Sequence, residues 1–559
     1  MLALVPLDDR PCNVRFPQQI AAIGGDAVLV PPLPALGHFN APGQPQDIAR
    51  WLHDLPEVEA LIVSIDMLAY GGLVASRKPH VGEDEALARL EMLKVWRRQR
   101  PDVPIYAFNI LMRLAITMDS DEAVPHYYNV MRYARLADEC ERFNSDYLRA
   151  ELEKVREQIP PRLLDEYLRA RARNHSVNLK MCDWLKKGVF DYLLVTQEDA
   201  TEYGLHRREQ DEILERVEKL QIGNKFSLHP GADEAALTLL ARRWKTGVRF
   251  RVHASDAEDM KRIAPFEDRP YNVALGQHIE SMCGQIVEEN ADFELFVNAP
   301  IGGSQRDENE AAREARREKL QGFIQEIVAY SNAKPRAEKA IGSIEINENG
   351  ELLSTNISSN GVAEHRVLDV VESVSDADET VANNDYESSW PRVALCDVAF
   401  PNGADNVLMN ELDKRDVLGY LAVFGGWNTA GNTTGTVLAH CAALQRARES
   451  GDEAQLERAQ TLSRQFLFER LIDDWCYQSQ VRSRIERAAR EIGLVPHNMN
   501  DLNNDQTHGA QNVELQMRRE LRSFAQLLAK RHFSAALLKS EITLPWKRAF
   551  ESDVRIELV

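Results

Sequence analysis

Short apolar runs recur along the chain. Each ends in polar or glycine-rich residues, and stretches of helical periodicity lie between them. In the first half the runs read LALVPL, AVLVPP, ALIVSI, IYAFNI and DYLLVT. A run that is apolar at every position predicts a strand buried on both faces, as in a parallel sheet. The intervening segments, such as 84–99 and 206–220, carry apolar residues at helical spacing. Strand alternating with helix predicts an α/β architecture.

The second half repeats the order. KFSLHP ends in Gly231-Ala232-Asp233-Glu234, as LALVPL ends in Asp8-Asp9. VRFRVHAS then matches AVLVPP, and FELFVNAPIGG matches LIVSIDMLAYGG. VALCDV matches IYAFNI, and LGYLAVFGGWNTAGN matches DYLLVTQEDATEYG. This predicts two duplicated, doubly wound parallel-sheet units facing a cleft, over 1–220 and 221–448. One (β/α)8 barrel with insertions is the competing architecture; more than eight strand candidates favour the duplication. Residues 114–188 are helical and charged, and read as an inserted helical hairpin. A second insertion, 304–391, holds a long charged helix, a β-hairpin in AIGSIEINENGELL with Asn-Gly at its turn, and an acidic loop at 373–389. Residues 449–559 read as a C-terminal helical domain.

Composition narrows the partners. At 559 residues the chain has length for about two to four domains. Its formal net charge of −20 argues against nucleic acid or an anionic membrane, both of which need a basic face. The start MLALVPLDDR has no basic segment and too short an apolar run for a signal peptide. No stretch reaches the roughly 18 apolar residues of a membrane span. Seven cysteines, with no CxxC spacing, suit free thiols in a reducing cytoplasm. The oligomeric state is not legible.

Ligands of parallel α/β sheets bind beyond the carboxyl ends of the strands. Those positions hold Asp8, Asp9 and Arg10; Asp66, followed by Arg77; Asn109 and Arg113; Gln197, Glu198 and Asp199; Asp233 and Glu234; Asn298 and Asp397; and Trp427, Asn428, Thr429 and Asn432. Carboxylates, amides and single arginines recurring at one end of strand after strand predict a site. Structural roles compete at several positions. Asp8 suits a helix cap, Asp9-Arg10 a local ion pair, and Asp66 a buried pair with Arg10 or Arg77. Gly71-Gly72 suits either a turn or close approach to a ligand. Asp233-Glu234 suits charge stabilisation of the helix that follows. In QEDATEYG the crowded acids predict a raised pKa, as a general acid requires. In GGWNTAGNTTG, Trp427 suits a platform under a sugar ring, with Asn428, Thr429 and Asn432 bonding hydroxyls. His38, His80, His229, His253 and His278 are isolated and lack HExxH spacing, so no histidine metal site is expected. No cofactor is expected, although Asp8, Asp66 or Glu198 leave Mg²⁺ or Mn²⁺ open. There is no phosphate-binding glycine fingerprint and no GxSxG elbow.

PLDDRP, SIDMLAYGGLVASR, PGADE, NGAD and GWNTAGN together resemble an uncharacterised bacterial family of about this length, a domain of unknown function. The resemblance covers about residues 1–530. It implies that these strand-end motifs belong together, and its association with sugar-uptake and amino-sugar genes tilts the reading toward carbohydrate. The leading expectation is a cytoplasmic glycoside hydrolase. Glu198 or Asp199 would be the acid and Asp66 the partner, while Asp8 and Asp9 bind hydroxyls. Arg10 and Arg77 would hold the carboxylates, and Asn109, Arg113, Asp397, Trp427, Asn428, Thr429 and Asn432 would complete the site. The alternatives are a non-catalytic small-molecule sensor and a metal-dependent sugar isomerase or lyase.

Overall fold

The computed structural model describes residues 1–117, 123–303, 305, 308–331, 391–496, 499 and 504–559, with three short strands between 344 and 367. The apolar runs of the first half form strands β1 (Leu2–Val5), β2 (Val28–Leu29), β3 (Leu61–Ser64), β4 (Ile105–Leu111) and β5 (Tyr192–Gln197). Every residue of β1, β3, β4 and β5 is buried, which is why these runs are apolar throughout rather than alternating. Their side chains share one core with the helices that cover them, including Trp96 and Trp184.

A sixth strand, β6 (Phe226–Pro230), pairs in parallel with β5 and completes the sheet, in the order β2-β1-β3-β4-β5-β6. KFSLHP therefore closes the first sheet and does not open a second repeat. The second sheet is built from β7 (Arg249–Ala254), β8 (Gln285–Ile286) and β9 (Phe293–Asn298), three short strands β10 (Ile344–Ile346), β11 (Leu352–Ile357) and β12 (Ala363–Val367) intervening as a separate antiparallel sheet, and then β13 (Val393–Asp397) and β14 (Val423–Gly425). Its order is β14-β13-β9-β7-β8, with β7 parallel to both neighbours. Read from the other edge, this is the order of β2-β1-β3-β4-β5. The duplication stands, with its first two correspondences shifted by one strand: β7 takes the place of β1, and β8 that of β2. FELFVN, VALCD and VFG occupy the expected third, fourth and fifth places.

The first insertion contains three helices, Tyr127–Phe143, Asp146–Glu157 and Pro161–Lys186, rather than a hairpin. It has its own apolar cluster, in which Val130 and Ala134 meet Val155, Ile159 and Tyr167. The antiparallel pairing of β10 with β11 is present, but its Asn-Gly turn and the acidic loop at 373–389 lie outside the described residues. After 449 the chain is helical through Glu453–Arg470, Arg482–Glu491 and Asn504–Leu528, with wide π-type turns over Leu471–Val481. It ends in an antiparallel pair, Leu537–Thr543 with Asp553–Leu558, which the helical pattern did not predict. Two compact units result. One comprises Met1–Asp307, Cys396–Ala404 and Gly425–Phe466; the other comprises Glu308–Leu395, Asp405–Phe424 and Leu467–Val559. Among the described residues no helix is long and apolar enough to cross a membrane.

Candidate active site

In the order β2-β1-β3 the chain reverses direction of travel across the sheet between β1 and β3, and that switch point is where such sheets open a crevice. Asp8 and Arg10 follow β1, and Asp66 follows β3. Asp8, Arg10 and Asp66 are all buried. The Arg10 guanidinium donates to Asp8 through Nε (3.0 Å to Oδ2) and Nη2 (2.7 Å), and to Asp233 through Nη2 (2.6 Å) and Nη1 (3.1 Å). One arginine thus clamps two carboxylates 225 positions apart in sequence (233 − 8), from the ends of β1 and β6. Asn13 Nδ2 adds a bond to Asp8 Oδ1 at 2.7 Å, and Asn428 Nδ2 adds one to Asp233 Oδ2 at 2.8 Å. Burial pushes the Asp233 carboxyl above its usual range against the opposing pull of Arg10, and the charges of Asp8 and Glu198 push the same way as burial.

Asp66 lies in the short helix Ile65–Tyr70, whose first turn is capped by Ser64 Oγ accepting from Met67 N at 3.1 Å. Its Oδ2 accepts from Ile110 N at 2.9 Å. Burial raises its pKa to about 7; the Ile110 N–H opposes that rise and the charge of Glu198 adds to it. Glu198, just past β5, accepts from Arg77 Nη2, and Arg77 also bonds Thr117 Oγ1 at 3.1 Å. Burial and the neighbouring Arg113 lower the Arg77 pKa. Arg113 bonds Asp199 at 3.2 Å, and the charges of Glu198 and Asp199 hold its pKa up despite burial. Glu198 acts on both Asp66 and Asp233, so the ends of β1, β3, β5 and β6 share one electrostatic neighbourhood.

The loop after β14 organises this neighbourhood. Asn428 adopts a left-handed conformation (φ 72°), which turns its amide to Asp233. Asn432 Oδ1 accepts from the backbone N–H of both Ala232 (3.0 Å) and Asp233 (2.9 Å). Gly431 N donates to Glu267 Oε1 at 2.8 Å, and an added Cβ on Gly431 would sit 2.8 Å from Pro230 O. Burial raises Glu267 to about 8, against the pull of that N–H. The distinctive GWNTAGN run therefore docks onto the loop after β6.

The family model described as Protein of unknown function (DUF4127) matches residues 2–346 and 354–555. The chain belongs to this family. No curated protein and no solved structure matches it.

In this DUF4127 member the predicted strand-end residues divide into groups. In the carboxylate centre Asp8, Arg10, Asn428 and Asp233 form one bonded group, Arg77 pairs with Glu198 and Arg113 with Asp199, and the Glu198 charge acts on Asp66 and Asp233. The others make different contacts. Asn109 lies inside β4, where its Nδ2 donates to Asn178 Oδ1 at 2.8 Å on the covering helix. Asp9 stands at the rim, 2.7 Å from His38 Nδ1. Arg10 pairs with Asp8. The helix Pro11–Ile23 begins after Arg10, whose own side chain makes no cap, while Asp8 Oδ1 accepts from the Arg10 backbone N–H at 3.1 Å. Asp397 accepts from Asn298 Nδ2 at 3.0 Å at the ends of β13 and β9. Thr429 precedes the helix Ala430–Glu449, and Trp427 is buried, with its carbonyl accepting from Thr433 Oγ1 at 2.7 Å. Gly71 and Gly72, both at positive φ, serve a close approach to the protein's own backbone: Gly43 N donates to Gly71 O at 2.8 Å.

Glu234 and two histidines were not singled out as a group by the sequence. His229, at the end of β6, and His278, on the helix Tyr271–Ser281, lie with ring centroids 3.8 Å apart and planes tilted by 40°. Glu234 Oε2 accepts from Ala232 N at 2.9 Å, and burial raises this carboxyl to about 8. Burial lowers His229 to about 4, and it lowers His278 as well, helped by His229.

Proposed function

We propose that the chain is an acid–base enzyme that cleaves a small glycoside, with Asp66 as general acid and Glu198 as nucleophile or base. The observation that carries this reading is a buried carboxyl raised to about 7, on which the charge of an arginine-bound carboxylate acts. Two carboxyl groups whose surroundings separate their roles are what glycosidic bond cleavage needs: one protonates the leaving oxygen, and the other attacks or activates water. This exchanges the roles expected from sequence. Glu198 and Asp199 each accept from an arginine N–H, which supports a nucleophile or base role for Glu198 and a separate acid at Asp66. Arg10 and Asn428 hold the second wall, Asp8 and Asp233, in place.

Charge favours a neutral or amino sugar over a phosphorylated one. Arg10, Arg77 and Arg113 stand among Asp8, Asp66, Glu198, Asp199 and Asp233, and each arginine already bonds a carboxylate. The neighbourhood has no surplus of positive charge for a phosphate. The test is release of aryl alcohol from a panel of glycosides, amino sugars included, by wild type, Asp66→Asn and Glu198→Gln. The expected result is one glycoside cleaved by wild type and by neither variant. Its rate would fall as pH rises above about 7, because the acid must be protonated. Absence of release from every member by folded wild type, or equal release by either variant, overturns the reading.

A further inference from the structure

We propose that His229, Glu234 and His278 bind a divalent transition-metal ion. One ligand atom from each of the three lies within 4.8 Å of the other two, close enough to share one ion. The set comes from three places that only the fold brings together: the end of β6, the loop after it, and the helix Tyr271–Ser281.

Several separate observations support a ligand here. The first is unmet bonding capacity in a dry place. His229, Glu234 and His278 are 0%, 1% and 1% exposed. Yet His229 Nε2 and Glu234 Oε1 lack a hydrogen-bond partner, and neither ring nitrogen of His278 makes a well-formed hydrogen bond, although the Pro230 carbonyl acts on that ring. Each orphaned buried polar atom costs about 1–3 kcal/mol, so a cluster of them is a poor way to build a core. An ion would satisfy the cluster at once. Tautomer geometry gives the second observation. His229 Nδ1 lies 2.9 Å from Pro230 O, so that nitrogen carries the proton and donates. Nε2 is then left with its lone pair directed away from the carbonyl, the arrangement found where a backbone acceptor orients a metal-bound imidazole.

The third observation is the space reserved for Glu234. A Cβ on Gly231 would fall 1.9 Å from Glu234 Oε1, and one on Gly435 would fall 2.1 Å from its Cγ. Gly231 sits at φ +117°, and Gly435 lies on the helix Ala430–Glu449. Two glycines therefore cradle this side chain while Ala232 N fixes its Oε2 at 2.9 Å. The carboxylate is aimed.

Two imidazole nitrogens and one carboxylate oxygen suit zinc or ferrous iron better than magnesium or calcium, which prefer all-oxygen shells. Three protein ligands leave further positions on the ion for water or a substrate atom, the pattern of catalytic rather than closed structural sites. Asp233, the residue before Glu234, belongs to the carboxylate centre, so an ion here would border that centre. The inference does not depend on glycoside cleavage, and its test reads metal, not turnover.

The test uses the full chain, stripped with a chelator, reloaded with Zn²⁺ or Co²⁺ and passed through a desalting column. Wild type should retain about one Zn²⁺ per chain, and the Co²⁺ form should show visible ligand-field absorption. Glu234→Gln and His278→Gln, confirmed folded by circular dichroism, should each weaken binding at least about tenfold. His440→Gln, which alters a buried histidine of the helix Ala430–Glu449 bonded to Ser463 of the next helix, should retain the ion. If the ligand variants fail to fold, X-ray absorption of the zinc-loaded wild type decides, with two imidazoles expected in the first shell. Retention below about one-tenth of an equivalent, unchanged binding in folded ligand variants, or a shell without imidazole overturns the proposal; the cluster is then held by protons alone.

Discussion

Replacing Arg10 by methionine tests whether the carboxylate centre is held by one cation. Methionine keeps much of the apolar stem and removes the five side-chain N–H contacts to Asp8 and Asp233. Both carboxylates are buried, so at neutral pH the variant would enclose two negative charges facing each other. Removing one partner of a buried ion pair costs roughly 3–5 kcal/mol, and here one partner serves two carboxylates. The loss should depend on pH in a defined direction. Without Arg10 the folded-state pKa of Asp233, which burial already raises above its usual range, climbs further. Such a group contributes a stability that is present below the unfolded pKa and lost as pH rises through the folded one. In urea unfolding the deficit should therefore be roughly 4 kcal/mol at pH 8 and shrink to about 1 kcal/mol or less near pH 4.5. Arg10→Met/Asp233→Asn should recover a large part of it at pH 8, because it leaves one buried charge where the single variant leaves two. A deficit that is the same at both pH values, or that the second substitution does not reduce, refutes the reasoning.

Two further outcomes follow from the same geometry. Asp66 has a folded pKa of about 7 against an ordinary value of 3.8, so the wild-type stability it supplies at low pH is lost as pH rises from about 4 through 7. Asp66→Asn, which can still accept from Ile110 N–H, should reduce the fall in stability between pH 5 and 8.5 by about 3 kcal/mol in paired urea titrations; parallel pH dependences in the two proteins would contradict the buried titration. Gly435→Ala places a methyl 2.1 Å from Glu234 Cγ and should cost about 2 kcal/mol in urea unfolding and weaken Zn²⁺ retention. A stable variant with unchanged metal binding would mean that the Glu234 cradle is not tight.

The strands were legible because their burial is two-sided. LALV, LIVS, IYAFNIL and YLLVTQ are apolar, with few interruptions, since both faces meet helices, and that signal is local. Their partners were less legible. KFSLHP has the same local pattern whether it ends one sheet or starts another, and only its ladder with β5 assigns it to the first. Gln285–Ile286 is two exposed residues at an edge, too short to leave any period, so the strand that shifts the alignment of the two halves could not be read. The C-terminal strands were hidden by the same limit. β-Pairing is a contact between distant segments, while helical periodicity is written in consecutive residues.

The site divides along the same line. That strand ends converge is a property of parallel sheets, so Asp8, Arg10, Asp66, Glu198 and Asp233 could be named before their contacts were known. Which oxygen meets which nitrogen could not. Arg10 reaches Asp233 rather than Asp66, and Asn109 points to Asn178, because the side on which a residue leaves a strand depends on twist and register. The histidines are the harder case. Forty-nine positions separate His229 from His278 (278 − 229), and no motif spacing links them. Their one sequence signal was placement: His229 ends a buried strand immediately before Pro230-Gly231, and such a position belongs to the carboxyl-end set that identified the acids. Isolation in sequence argued for a satisfied core histidine. The nitrogens without a well-formed hydrogen bond argue otherwise, since such a buried group carries an energetic penalty that packing alone does not remove. The ligand chemistry proposed at these strand ends would then be carried by two kinds of residue. The carboxylates declare themselves by local pattern, and the imidazoles do so only by what they lack once the chain has folded.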